Sequence, residues 1–126
     1  MDTASLGLRE LDVMTVLWQR SSGTVTEVQA ALGTPLAYTT VLTILRNLEA
    51  KGFVRREEEG RAHRYFPAVK QRAEQKKALR RLIDTLFLGS PDAVLSQLVD
   101  DHDLSPDEVR RIARRLADPP DYGGAL

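Results

Sequence analysis

The chain has 126 residues, 42% of them hydrophobic, which suits one domain, or a small domain with an appendage, around a modest core. Its 18 Lys and Arg balance 18 Asp and Glu, which argues against a nucleic-acid coat protein, and the absence of cysteine excludes disulfides, thiolate metal sites and cysteine nucleophiles. No apolar run reaches the roughly 18 residues that span a bilayer, and the start lacks the basic-then-apolar order of a secretory signal, so the expected location is cytoplasmic with no membrane partner.

The first predicted element is a helix from Leu8 to Arg20, whose stripe of Leu8, Leu11, Met14, Leu17 and Trp18 is assigned to the core. Ser21 to Thr24 break it. Thr24 and Glu27 then have the spacing of a capping box, in which the hydroxyl accepts from a helical N–H and the carboxylate accepts from the cap N–H. The short helix they open runs to Leu32, with Val25, Val28 and Leu32 on its apolar side. Gly33, Thr34 and Pro35 turn the chain into a third helix from Tyr38 to Lys51, where Val41, Ile44, Leu45 and Leu48 face the core. Lys51 and Gly52 end it with a cation in the last turn and a residue free to adopt positive φ.

Helix, short helix, turn and longer helix is the order of a helix-turn-helix, whose last helix enters the major groove. The outer face of that helix carries Thr39, Thr40, Thr43, Arg46 and Asn47, short or basic groups able to reach phosphates and base edges. Tyr38 is a phosphate candidate through its hydroxyl. A β-hairpin follows, with strands over Phe53 to Glu57 and Arg61 to Phe66, turn material at Glu58, Glu59 and Gly60, and Pro67 closing the ladder. Phe53 and Tyr65 point to the core, while Arg55, Arg61, His63 and Arg64 remain near the tip or on the solvent face. A basic hairpin beside a reading helix is the plan of a winged helix, and the implied partner is double-stranded DNA. Glu57, Glu58 and Glu59 repel phosphate, so the wing contact is expected through Arg61, beyond the acidic run, or through Arg64.

Between Lys70 and Arg81 six Lys and Arg face one Glu, a local positive surface within a neutral chain. The segment from Lys70 to Leu88 reads as a fourth helix closed by Gly89, with Leu79, Ile83, Leu86 and Phe87 on its apolar side. Ser90 and Pro91 start a fifth helix bearing Val94, Leu95, Leu98 and Val99. Ser105, Pro106 and Glu108 start a sixth, bearing Val109, Ile112 and Leu116. Each apolar face is wider than one neighbour covers, so a second copy of the segment is expected to complete it. A two-fold homodimer also presents two reading helices to an inverted-repeat site. The expected architecture is mainly α with a small β-hairpin: a winged helix-turn-helix over residues 1–67, a helical dimerisation region over 68–117 and a flexible tail over 118–126.

Enzyme chemistry finds no support, since there is no nucleophile elbow, glycine-rich phosphate loop or paired-acid motif. His63 and His102 lack metal-ligand spacing, and Asp100, Asp101 and Asp103 straddle a helix break where acidic residues cap, so no metal or cofactor is expected. Trp18 falls on an apolar stripe and reads as packing. Two alternatives stand beside a DNA-binding repressor: a winged-helix regulator that senses a ligand, and a winged-helix protein-interaction module without DNA contact, which neutral charge and Asn47 would suit.

The chain resembles the penicillinase-repressor family of bacterial regulators (BlaI, MecI and CopY type). The resemblance rests on Glu10 to Met14 with Leu17 and Trp18, on Thr24 to Val28, most densely on Tyr38 to Val41, Thr43, Leu48, Lys51 and Gly52, and on Gly60, Arg61, Tyr65 and Pro67. It covers residues 6–67 in sequence and the rest in topology. It implies a dimeric winged-helix repressor of inverted repeats, controlling in its best-known members β-lactam resistance genes and relieved through a membrane sensor protease. Asn47 departs from the arginine of many relatives, which moves the basic contact to Arg46, and the missing cysteines remove the copper-binding motif of one branch.

Overall fold

The computed structural model describes residues 6–117, which form two compact units, one ending at Ala78 and the other starting at Leu79. The expected flexible tail, 118–126, lies outside the described residues. Among the described residues no single helix is long and apolar enough to cross a membrane.

The first unit opens with α1 (Leu8–Arg20), β1 (Gly23–Thr24), α2 (Val25–Ala31) and α3 (Tyr38–Ala50), followed by the hairpin β2 (Val54–Glu59) and β3 (Ala62–Pro67). The strands form an antiparallel sheet in the order β1-β3-β2. The Thr24 capping box forms as expected: Glu27 N–H donates to Thr24 Oγ1 at 3.2 Å, and Thr24 N–H donates to Glu27 Oε1 at 3.3 Å. Gly52, at φ 86°, ends α3, where Phe53 N–H closes back on the Leu48 carbonyl at 2.9 Å. Lys51 also reaches across to α1, donating from Nζ to both Glu10 oxygens at 2.8 and 2.9 Å. Burial pushes the Glu10 carboxyl up, but the Lys51 ammonium and the Gly7 N–H outweigh it and hold the group below its ordinary range.

The core of this unit contains Val13, Met14, Leu17, Val28, Val41, Leu45, Leu48 and Tyr65, all fully buried, with Phe53 and Val54 beside them. The α3 stripe is the one its period predicts. The α1 stripe holds in part: Met14 and Leu17 are buried and Trp18 packs on the core, joined by Val13 and Val16, while Leu8 and Leu11 are exposed. A helical period locates a face but not its covering layer, and adjacent apolar pairs such as Val13 and Met14 shift the buried face round the helix. Trp18 packs against the core at partial burial, and its Nε1–H donates to the Val69 carbonyl at 3.0 Å, pinning the segment that leaves β3.

Two details of the sheet differ from the sequence reading. Gly23 and Thr24, read as part of a break, pair with Tyr65 and Arg64 as a third strand, too short to leave a period. The hairpin loop is Gly60 and Arg61, because Glu58 and Glu59 continue β2 opposite His63 and Ala62. Gly60 has φ 62°, which supplies the positive φ that a two-residue hairpin loop requires, and this places Arg61 at the tip.

α4 (Gln71–Leu86) begins in the first unit; α5 (Pro91–Asp100) and α6 (Pro106–Ala117) belong to the second. α4 stops two residues before the expected Leu88, which adopts φ 51° ahead of Gly89 at φ 79°. Ser90 Oγ caps α5 by accepting from Ala93 N–H at 3.2 Å, and Ser105 with Glu108 forms the expected box on α6 at 2.9 and 3.1 Å. The Ser105 backbone and side-chain hydrogen bonds hold the Glu108 carboxyl below its ordinary range. Neither α5 nor α6 contains a buried residue.

Candidate nucleic-acid interface

Burying Val41, Ile44, Leu45 and Leu48 leaves Tyr38, Thr39, Thr40, Thr43, Arg46 and Asn47 together on the solvent face of α3. The Thr43 hydroxyl donates to the Thr39 carbonyl at 2.9 Å, so towards a ligand it offers an acceptor oxygen and a methyl group. That combination suits a base amino group or a thymine methyl in the major groove. The hydroxyls of Thr39 and Thr40 have no side-chain partner among the described residues and remain able to donate or accept.

A cleft of about 190 Å³ separates this helix from the wing, and its wall brings together Thr26, Tyr38, Arg46, Arg61 and His63. The cleft therefore joins residues assigned to the helix and to the hairpin into one surface. Thr26 was not anticipated as a site residue; its sequence signals are its place two residues after the α2 cap and inside the Thr24 to Val28 segment of the resemblance. Tyr65 forms part of the same wall, fully buried, and its hydroxyl has no hydrogen-bond partner among the described residues.

The basic side chains divide by their partners. Arg64 donates to both Glu27 oxygens at 2.9 and 3.1 Å, to both Glu59 oxygens at 2.8 and 3.0 Å, and to Ser22 Oγ at 3.2 Å. The Arg64 hydrogen bonds hold the Glu27 carboxyl down to about 2 and lower that of Glu59, while the two carboxylates raise Arg64. Arg55 is paired with Glu57 and stacks over Phe66 at 4.3 Å, and Arg56 lies 3.3 Å from Glu49. Arg46 and Arg61 have no carboxylate partner among the described residues. Of the three acidic residues that crowd the wing, two are thus neutralised locally, and Glu58 has no cation partner among the described residues.

In the second unit, Leu79, Leu86, Leu95, Ile112 and Leu116 are exposed, and Phe87, Val94, Leu98, Val99 and Val109 are half-buried. Ile83 is buried within the single chain. Among the described residues, the apolar side chains of α5, α6 and the end of α4 are therefore left largely uncovered.

Comparison with known proteins agrees with this architecture. The chain is 38% identical over 120 residues to the transcriptional regulator BlaI of Mycobacterium tuberculosis, covering 90% of this chain and 83% of the relative. It is 21% identical over 116 residues to the methicillin resistance regulatory protein MecI of Mammaliicoccus sciuri, covering 90% and 94%. The solution structure of the DNA-binding domain of the repressor BlaI superimposes with a TM-score of 0.51 at 30% identity, over 56% of this chain and 88% of that domain. The sequence profile of the penicillinase repressor family matches residues 6–118, and the chain belongs to that family.

Proposed function

We propose that the protein is a sequence-specific, DNA-binding transcriptional repressor that acts as a homodimer on an inverted-repeat operator. The observation that carries this reading is the pair of arginines without a carboxylate partner among the described residues, Arg46 and Arg61, on one cleft beside the hydroxyl-bearing start of α3. Thr39, Thr40 and Thr43 read bases, with Asn47 at the edge of the groove. Tyr38, Arg46 and Arg61 hold phosphates. Arg64 acts from inside, fixing the wing to α2 through Glu27. Residues 1–67 form the DNA-binding part and residues 68–117 the dimerisation part, in which Leu79, Leu86, Leu95, Ile112 and Leu116 meet a second copy. The kinship with MecI, a methicillin resistance regulatory protein, supports control of antibiotic resistance genes; relief of repression through a membrane sensor protease is proposed from the family resemblance alone.

A gel-shift with DNA from upstream of the protein's own gene tests the reading. A salt-sensitive shift that a scrambled duplex does not compete supports it, and equal binding to both duplexes contradicts it. A monomer by sedimentation at micromolar concentration contradicts the dimer.

A further inference from the structure

Away from the DNA-facing side, α1 and the first half of α4 leave a groove of about 310 Å³ between them, wholly within the first unit. Leu11, Thr15 and Trp18 form one wall at helical spacing, and Gln71, Glu74 and Ala78 form the other. Leu11, which does not reach the core, lines this groove. The volume falls at the lower end of the range for small-molecule sites, which combine apolar walls with a few placed polar groups.

The polar group here is a carboxylate. Glu74 is only 7% exposed, the sole charged residue buried among those described. Its side chain has one partner among them, Lys77 Nζ at 3.4 Å, on a side chain that is itself 59% exposed. A carboxylate withdrawn from water needs close hydrogen bonds and a counter-charge to offset its lost hydration, and one long contact to a solvated lysine supplies little of either. The indole of Trp18 lines the same groove, and an aromatic face attracts a cation, the more so away from water.

We propose that this groove binds a small organic cation, an ammonium carried on an apolar body, with the charge held by Glu74 and the body lying against Trp18 and Leu11. This site is independent of the DNA-binding reading. Because the Trp18 indole also holds the Val69 carbonyl, the ligand touches the residue that anchors the chain between the wing and α4.

Trp18 is the only tryptophan in the chain and lines this groove, so its fluorescence responds to binding there. The full-length protein is titrated with 2-phenylethylammonium, with neutral 2-phenylethanol and with anionic 3-phenylpropionate. The expected result is a saturable change of Trp18 emission, with at least about tenfold tighter binding of the ammonium than of either analogue. Glu74→Gln should abolish that preference, and Ala78→Phe, which fills the groove from an exposed position, should abolish binding while keeping the helical circular dichroism. If Glu74→Gln does not fold, Ala78→Phe decides. Equal binding of the three probes, or no response to any, overturns the proposal. So does emission that follows protein concentration and not probe, since a second copy then covers the groove.

Discussion

Arg61→Ala separates the cation proposed to meet DNA from one that holds the protein together. Arg61 stands at the hairpin tip without a carboxylate partner among the described residues, whereas Arg64, three residues on, is bound to Glu27 and Glu59. If each protomer places Arg61 on one phosphate, the variant loses two phosphate contacts per dimer. At about 0.9 per phosphate, the slope of log affinity against log salt becomes shallower by about 1.8. Between 50 and 200 mM salt, the penalty of the variant should then shrink by about 12-fold, a factor of four raised to that power. Fluorescence anisotropy on a labelled operator at several salt concentrations measures it, with Arg64→Ala alongside. Arg64→Ala should lower affinity by loosening the wing while leaving the slope within about 0.5 of wild type. Parallel lines for Arg61→Ala, or the larger slope change in Arg64→Ala, would refute the assignment.

Tyr65→Phe should stabilise the fold by about 1 kcal/mol, because it removes a buried hydroxyl that lacks a partner; urea unfolding checks this, and a loss of stability would show that the hydroxyl is satisfied. Arg64 holds the folded Glu27 carboxyl at about 2, below its ordinary 4.5, so its stabilising contribution is present above about 4.5 and is lost as pH falls towards 2. Glu27→Gln should accordingly flatten the pH dependence of the urea midpoint in that window, and an unchanged acid limb would count against the pair. His102, at φ 65° after α5, should accept glycine with a gain of about 1 kcal/mol, read from the same unfolding curves; a loss would mean that its side chain makes a stabilising contact.

Most of the fold was legible because its helices carry strong periods and explicit caps. Val41, Ile44, Leu45 and Leu48 leave one assignment for α3, and the Thr24, Ser90 and Ser105 starts each contain the cap and the N–H that donates to it within four residues. Leu8 and Leu11 were misread for a different reason: the pattern counts apolar residues on a face and has no information on the element opposite. The wall that faces Leu11 across its groove lies about sixty residues on, on α4. The same distance problem affects the site. Arg61 and Arg64 are equivalent in residue type and sit on one strand and its loop, and their roles part only when folding brings Glu27 against the second. Which residue of a charged hairpin is available for DNA is a property of tertiary pairing. The hydroxyl-bearing face of α3 needed no such pairing, since burying one side of a helix determines the other.

Base reading by that face is the central claim, and the most direct test compares wild type with Thr40→Ala and Thr43→Ala on the selected operator and on a scrambled duplex at one salt concentration. The expected result is that operator affinity falls by roughly tenfold, the lower end of what one base contact contributes, while scrambled-duplex affinity stays within about twofold. An equal fall on both duplexes, or none on either, would contradict base reading by α3.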